Sequence, residues 1–201
     1  MPSIYDLKPR FQSLLRPLVR RLARSGVSAN HVTIAALMLS FLVGGLIALN
    51  PMAKWPMLLM PVALFVRMAL NAIDGMLARE HGMKSALGAI LNEVGDVLSD
   101  TALYLPMALV PEVNSFWVVL VVVLAMISEM TGVVAVQIGA ARRYDGPMGK
   151  SDRAFVFGLL GLLLGIGIHP AHWAEGLMMI TVVLLVVTII NRMRRALQET
   201  A

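Results

Sequence analysis

Long apolar runs separated by short polar loops are the feature that most constrains the fold of this chain. Hydrophobic residues make up 58% of its 201 residues, and charged residues make up only 14%. A soluble domain of this length has too little interior to hide that much apolar surface. Because about 20 apolar residues are needed to cross a membrane as a helix, six spans are predicted, at 32–49, 55–78, 85–110, 116–141, 152–168 and 173–191. The expected fold is an all-α integral membrane protein with six transmembrane helices.

The distribution of positive charge predicts the orientation of these spans. Of the 17 Lys and Arg, all except Lys54 and Arg67 precede the first span, lie in or beside the second or fourth loop, or follow the last span. Basic residues that flank spans stay on the cytoplasmic side of the membrane. Both termini are therefore expected in the cytoplasm.

The N-terminal residues 4–23 alternate apolar and basic positions at roughly helical period. This pattern is typical of an amphipathic segment that lies in the membrane interface. Anchoring to anionic lipid is the favoured interpretation of its charge, and contact with a substrate headgroup is the alternative. The chain is accordingly predicted to be one domain, 1–201, with an interfacial segment at 1–27 and a six-helix bundle at 28–195.

Polar residues interrupt the second and third predicted spans, where they would be costly in lipid and so mark a functional site. At helical spacing, one face of each span carries a polar stripe. The stripes are Arg67, Asn71, Asp74 and Ala78 on one helix, and Gly88, Asn92, Asp96 and Asp100 on the other. Because a short loop joins the two spans as an antiparallel pair, we expect the stripes to face each other.

Four oxygen-bearing side chains converge in this arrangement: Asn71, Asp74, Asn92 and Asp96. Hard oxygen donors suit Mg²⁺, Mn²⁺ or Ca²⁺ better than zinc or copper. A divalent ion there would hold a pyrophosphate, and Arg79 would neutralise its charge. Gly75 and Gly88 remove bulk beside the donors.

The same stretch resembles the signature of the CDP-alcohol phosphotransferases, D-x-x-D-G-x-x-A-R, eight residues, G-x-x-x-D-x-x-x-D. The matching residues are Asp74, Gly75, Ala78, Arg79, Gly88 and Asp96. Asn71 and Asn92 stand where the first and third aspartates belong, as in a branch of the family that carries asparagine at both places. The sequence from Ser28 to Thr33 is similar to the P-N-x-x-T that begins the family's first helix.

This resemblance implies transfer of a phosphoalcohol or phosphatidyl group from a CDP-linked donor to an acceptor hydroxyl, with release of CMP, in phospholipid biosynthesis. CDP-diacylglycerol is the preferred donor, and a soluble CDP-alcohol with a lipid acceptor is the alternative. By the same resemblance, the protein is expected in the inner membrane of a bacterial cell. Asp96 would be the general base, Gly75 would face the nucleotide, and Arg79 would contact the donor phosphates. A homodimer is also implied, whereas no nucleic-acid partner is expected.

The two amides keep oxygen donors in the predicted metal site but remove two negative charges. Four aspartates would offset two Mg²⁺ or Mn²⁺ ions, whereas Asp74 and Asp96 alone offset one. Both metal counts, one ion or two, therefore stay open for this chain.

Other polar residues have supporting roles in this hypothesis. Asp100 is expected to form a buried ion pair with Arg67, at a similar depth. Glu93 points about 100° away from Asn92 around the helix, so packing toward another polar element is favoured over direct metal ligation. Glu129 of the fourth span would share Arg67 or orient the acceptor.

The fourth loop carries a second basic cluster that ends in Gly-Lys-Ser-Asp-Arg at 149–153. By itself this cluster is ordinary cytoplasmic positive charge. The family places basic residues at the start of its fifth helix to hold a substrate phosphate, and by that resemblance Lys150 and Arg153 are candidates for the same role.

Two other classes of function compete with the transferase hypothesis. A degenerate member that binds nucleotide or lipid without turnover is suggested by the amides at Asn71 and Asn92. A cation transporter is suggested by the buried acids, but its polar stripes would reach both faces of the membrane, whereas these cluster in one half.

Overall fold

A computed structural model describes residues 4–111 and 113–200 of the chain, and that part is helical, with no strand. Its α-helices are α1 (Ile4–Arg24), α2 (Ala29–Leu49), α3 (Lys54–Glu80), α4 (Ala86–Tyr104), α5 (Ser115–Val134), α6 (Lys150–Gly165) and α7 (Ala171–Thr200). Short 3₁₀ helices, Leu105–Leu109 and Ala135–Ile138, follow α4 and α5. The prediction of an all-α fold is confirmed.

Four of the described helices are long and apolar enough to cross a membrane: α2, α3, α5 with the turn after it, and α7. They correspond to four of the six predicted spans. The other two predicted spans correspond to α4 and α6. Helix α4 carries the charged residues Glu93, Asp96 and Asp100, and helix α6 has 16 residues, which is about 24 Å of helix.

Local sequence sets several helix boundaries. The Ser28 hydroxyl accepts a hydrogen bond from the backbone N–H of His31 at the start of α2, and Ser85 accepts one from Gly88 at the start of α4. Both are N-cap contacts, which satisfy free backbone donors of the first turn. The third and fourth predicted spans extend beyond the observed α-helices, because α4 and α5 each tighten into a 3₁₀ turn. The 3₁₀ turn after α5 ends at Gly139, whose φ is +87°.

The helices pack closely at small residues and stacked rings. A Cβ at Gly44 of α2 would lie 1.8 Å from the carbonyl oxygen of Ala102, so the backbones of α2 and α4 are in close contact at this glycine. Tyr104 stacks on Phe157 of α6, with ring centroids 4.0 Å apart. Large apolar side chains such as Phe65 and Val183 face outward, as expected for a surface in contact with lipid.

Helix α1 lies across one end of the bundle, which we call the α1 end. Its Val19 is fully buried in a cluster with Val32 of α2 and Leu77 of α3. Arg16 binds both carboxylate oxygens of Glu80, at 2.9 and 3.1 Å, and so joins α1 to the last turn of α3. Helix α1 thus borders the region where the predicted site residues lie.

Candidate active site

A cavity of about 400 Å³ opens at the α1 end between α2, α3 and α4. Six of the residues predicted from the sequence line it: Asp74, Gly75, Ala78, Arg79, Gly88 and Asn92. Asn30 and Thr33 of α2 and Lys84 of the following loop complete the polar part of the wall. The two polar stripes therefore meet at one cavity, with a third helix contributing to it.

Asp74 is held in place by a residue that the sequence interpretation did not assign to the site. Its side chain is buried, and its Oδ2 accepts a hydrogen bond of 2.8 Å from the Thr33 hydroxyl. Asn30 and Thr33 lie three residues apart near the start of α2, and both reach the cavity. The similarity of the sequence from Ser28 to Thr33 to the family motif was the feature that could have assigned both residues to the site.

The two glycines of the cavity wall allow polar side chains to lie directly on the helix backbone. A Cβ at Gly75 would lie 2.9 Å from a guanidinium nitrogen of Arg79, and a Cβ at Gly88 would lie 2.8 Å from the amide oxygen of Asn30. Both distances are shorter than normal van der Waals contact. Larger residues would push Arg79 and Asn30 out of their present positions.

Asp96 lies one helical turn beyond Asn92, between two basic residues. Its carboxylate is hydrogen-bonded by the Lys150 ammonium, and a guanidinium nitrogen of Arg67 lies 3.7 Å from it. Arg67 also donates a 3.1 Å hydrogen bond to the Asp96 carbonyl. Asp96 keeps about a quarter of its side chain exposed, so an incoming group can still reach it.

The predicted metal donors are oxygen atoms only. Asn71 lies on α3 three residues before Asp74, and Asn92 lies on the cavity wall. Among the described residues, no three or more His, Cys, Asp or Glu are grouped to hold a metal ion. The amides at Asn71 and Asn92 account for this, because they leave only Asp74 and Asp96 as carboxylates in the set.

Behind Asp96, basic and acidic side chains of five helices and one loop form a buried network, which we call the inner ion cluster. It comprises Arg67, Glu93, Asp100, Glu129, Arg142, Arg153 and Arg192. The expected pair between Arg67 and Asp100 is present, at 2.5 Å. Buried charges of this kind persist only when each has a partner.

Two members of this cluster, Glu129 and Arg153, differ from expectation. Glu129 contacts Arg142, Arg153 and Arg192 rather than Arg67, because α5 packs against α7 and the loop before α6. Arg153, a candidate for binding substrate phosphate, is only 1% exposed and lies between Asp100 and Glu129.

Glu93 faces the fourth loop, where the Arg142 guanidinium donates hydrogen bonds of 3.0 and 2.9 Å to its two oxygens. Desolvation lowers the pKa of Arg142, but the hydrogen bonds from Glu93 and Glu129 outweigh it and raise the pKa above its usual value. The guanidinium also lies over the Tyr144 ring, 4.5 Å from the centroid. Sequence reasoning had placed Arg142 only among the charges of a cytoplasmic loop.

Comparison with solved structures places this architecture among known folds. The chain is similar to phosphatidylinositol phosphate synthase PgsA1 of Mycobacterium tuberculosis in complex with manganese and citrate, with a TM-score of 0.75 and 19% identity over 90% of this chain and 88% of that one. It is similar to the same enzyme with CDP-DAG bound, with a TM-score of 0.70 and 19% identity over 92% of each chain. At these identities the likeness establishes the fold.

Sequence comparison gives the family. The chain is 49% identical to inner membrane protein YnbA of Escherichia coli (strain K12), over 99% of this chain and 98% of that protein. A sequence model described as CDP-alcohol phosphatidyltransferase matches residues 26–189, which include the whole cavity wall and α6. The chain is therefore a member of the CDP-alcohol phosphatidyltransferase family of membrane transferases.

Proposed function

We propose that this protein transfers a phosphatidyl group from CDP-diacylglycerol to the hydroxyl of an acceptor alcohol and releases CMP. The observation that carries the proposal is the single cavity at which Asp74, Gly75, Arg79 and Gly88 meet, with Asp96 one turn beyond its wall. These residues match the family's signature in type and spacing. Membership of the family supports the reaction class.

The basic residues around the cavity fit the two phosphates of such a donor. Arg79 lines the cavity, and Lys150 contacts Asp96, one helical turn beyond the cavity wall. Ala78 and the two glycines leave room for the nucleotide. We assign Arg79 and Lys150 to the donor phosphates, and Arg153 to holding Asp100 behind them, in place of the direct phosphate contact predicted from the sequence.

An apolar groove supports a lipid donor. It has a volume of about 450 Å³ and runs between α3 and α6, with Phe65, Met68, Ser151 and Phe155 among its lining residues. Ser151 follows Lys150 directly, so the groove begins beside the proposed phosphate site. Acyl chains in the groove would leave the pyrophosphate at the cavity. One of the similar PgsA1 structures contains CDP-DAG.

A divalent ion fits the donor chemistry of the four predicted ligands, of which Asp74 and Asn92 line the cavity. Asp74 and Asp96 supply carboxylates, Asn71 and Asn92 supply amide oxygens, and such ligands suit Mg²⁺ or Mn²⁺. When bound, the ion would neutralise pyrophosphate charge and polarise the phosphorus under attack. One of the similar PgsA1 structures contains manganese. We propose one or two such ions, with the lower charge of this set favouring one.

The transfer itself needs a base and a leaving group. The acceptor oxygen attacks the phosphorus that carries the diacylglycerol, its proton passes to the Asp96 carboxylate, and the bond from that phosphorus to the CMP oxygen breaks. Lys150 and Arg67 contact the Asp96 carboxylate and orient it for this step. CMP leaves with the bridging oxygen and its electron pair.

The setting we propose is a bacterial inner membrane, with the cavity and both termini in the cytoplasm. The positive charge around the α1 end supports this orientation, and the name of the YnbA relative supports the inner membrane. We also propose that α4 and α6 cross the membrane with the four apolar helices, that α1 lies in the interface, and that the protein is a homodimer, as the family resemblance implies.

The test is CMP release by the purified protein in liposomes that contain CDP-diacylglycerol, with Mn²⁺ or Mg²⁺ and a pool of acceptor alcohols. We expect release that needs the metal and falls at least about 100-fold in Asp96→Asn, while metal-dependent binding of CDP is retained. Glu175→Gln, which makes a similar charge change at the opposite end of α5 and α7, serves as the control and should keep full activity. Undiminished turnover in Asp96→Asn would remove Asp96 as the base.

Asn71 and Asn92 favour one second candidate, a family member that binds the donor without turnover. In that case donor binding would be measurable, CMP release would be absent, and the double variant Asn71→Asp with Asn92→Asp would gain transferase activity.

A further inference from the structure

The face of α4 that carries Asp96 also carries Glu93 and Asp100. Their spacing of three and four residues places all three side chains along one stripe of the helix. If Asp96 takes the proton of the acceptor hydroxyl, as proposed above, the body of the acceptor lies along this stripe. The basic residues that pair with Glu93 and Asp100 are then the basic residues nearest to the acceptor.

Each of these three carboxylates already has basic partners from the protein. Arg142 places two nitrogens on Glu93, and Lys150 binds Asp96. Asp100 is held from two sides, with Arg67 at one oxygen and Arg153 at 2.8 and 3.1 Å from the other. A guanidinium that is committed in this way offers few free N–H groups to a ligand.

The basic residues around these three carboxylates are likewise paired with acidic ones. Glu129 accepts hydrogen bonds from Arg142 and Arg153 and lies 3.5 Å from Arg192, while Arg143 is paired with Asp145 and Glu199. Within the part of the chain that the structure describes, five arginines contact six carboxylates here; Lys150 is left aside because it is assigned above to the donor phosphates. The arginines are Arg67, Arg142, Arg143, Arg153 and Arg192, and the carboxylates are Glu93, Asp96, Asp100, Glu129, Asp145 and Glu199.

The deep part of the cluster, around Asp100, Glu129 and Arg153, is too tightly packed for an anion. The void beside Asp100, Glu129 and Arg153 has a volume of about 10 Å³, which is near the minimum for one water molecule. A phosphate could bind there only by displacing a carboxylate from its guanidinium. That carboxylate would remain buried without a partner, which is strongly unfavourable.

In the described part of the chain, the basic residues that line the donor cavity are not paired with carboxylates in this way. Arg79 and Lys84 line the open cavity of about 400 Å³, and neither forms a salt bridge with a carboxylate among the described residues. Unpaired positive charge is therefore available where the donor pyrophosphate is proposed to bind, and neutralised charge surrounds the place of the acceptor.

We infer, on the basis of the proposed transfer, that the acceptor is an alcohol without a phosphate group. The balanced charge of the inner ion cluster and its neighbours selects against a phosphorylated alcohol. Such an acceptor brings negative charge to a face whose cations are all occupied, and it gains no new ion pair in return.

Matched pairs of acceptors test this inference. CMP release from CDP-diacylglycerol would be compared for glycerol and glycerol 3-phosphate, for inositol and inositol 3-phosphate, and for serine and phosphoserine, at equal concentrations. We expect release with at least one phosphate-free member and at least about tenfold less with its phosphorylated partner. Faster release with the phosphorylated members would overturn the inference and leave the proposed transfer standing. No release with any member would contradict the transfer itself, and the inference with it.

A variant that removes one of the two carboxylates bound to Arg142 provides a second test. Glu93→Gln removes the charge from the partner that Arg142 grips with two hydrogen bonds. We expect the ratio of release with phosphorylated to phosphate-free acceptors to rise about tenfold, the effect of one charge-assisted contact. Glu175→Gln, a charge change at the opposite end of the bundle, should leave the ratio unchanged. An unchanged ratio in Glu93→Gln, with its fold intact by circular dichroism, would count against the inference.

Binding can be measured without turnover. With the donor site filled by CDP and Mn²⁺, glycerol 3-phosphate would be titrated while the unfolding temperature is recorded. The wild-type protein should show no saturable shift, and Glu93→Gln should show one. A saturable shift in the wild-type protein would overturn the inference even if no acceptor supported CMP release.

Discussion

Asparagine occupies two of the four oxygen-donor positions predicted on α3 and α4, Asn71 and Asn92, and this lowers the negative charge available to a cation. We predict that Asn71→Asp combined with Asn92→Asp raises the affinity for Mn²⁺ by at least about tenfold, because ligand charge tunes divalent-ion affinity. Calorimetric titration with Mn²⁺ would measure the change. Asn50→Asp makes the same substitution at the far end of α2 and should have no effect. Equal Mn²⁺ affinity in the double variant and the wild-type protein would show that these side chains do not contact the ion.

Asp100 is the residue on which the buried guanidinium groups of Arg67 and Arg153 converge. We predict that Asp100→Asn lowers the free energy of unfolding by about 3–5 kcal/mol, because it leaves buried positive charge without its partner. Thermal unfolding in detergent, followed by circular dichroism, would measure this.

Glu80→Gln is the matched control for Asp100→Asn. It removes the partner of Arg16 in an ion pair of which both side chains are substantially exposed, where water already screens the charges. Its unfolding temperature should stay close to the wild-type value. Equal losses in the two variants would mean that burial does not govern the strength of these pairs.

At the scale of the helix, the contact between α2 and α4 depends on a glycine. Gly44→Ala would place a methyl group 1.8 Å from the Ala102 carbonyl oxygen, so α2 and α4 must separate. We predict a loss of about 1–3 kcal/mol in the free energy of unfolding, as for other overpacked interiors, and reduced CMP release, since Thr33 and Asn92 lie on these two helices.

The neighbouring glycine provides the comparison for this prediction. A Cβ at Gly45 would meet no atom within 4 Å, and alanine is the better helix former. Gly45→Ala should therefore be neutral or slightly stabilising in the same unfolding measurement. A similar loss in both variants would show that helix propensity or lipid contact, rather than the α2–α4 contact, is responsible.

Contacts between neighbouring helices could be predicted from the sequence, whereas contacts between distant helices could not. Spacing on two consecutive antiparallel helices was enough to bring Asp74, Asn92 and Arg79 to one cavity and to pair Arg67 with Asp100. The partners of Glu129 were not predictable, because they lie on α6, α7 and a loop whose neighbours are decided by three-dimensional packing. Arg192 is an example: it follows an apolar run, yet α7 continues to Thr200 and buries it.

At the scale of the whole molecule, the number of membrane crossings decides on which side each loop lies. If α4 and α6 cross with the four apolar helices, the loop before α5 lies outside the cell; if they do not, that loop lies inside. The chain has no cysteine, so single cysteines can be placed freely. We predict that Ser115→Cys is labelled by an impermeant maleimide in intact cells, as is Met52→Cys in the loop between α2 and α3.

Ser25→Cys, between α1 and α2, should react only after the membrane is opened. Labelling of Met52→Cys but not Ser115→Cys in intact cells would contradict six crossings and support four. Labelling of Ser25→Cys from outside would reverse the proposed orientation of the whole bundle.

The inner ion cluster also bears on how the chain is made. Glu129 belongs to α5, whereas the three arginines that it contacts, Arg142, Arg153 and Arg192, all follow it in the sequence and are synthesised later. During translation we therefore expect Glu129 to stay outside the lipid, or beside the insertion machinery, until these arginines emerge. Insertion of the middle of this protein is thus coupled to the completion of its C-terminal third.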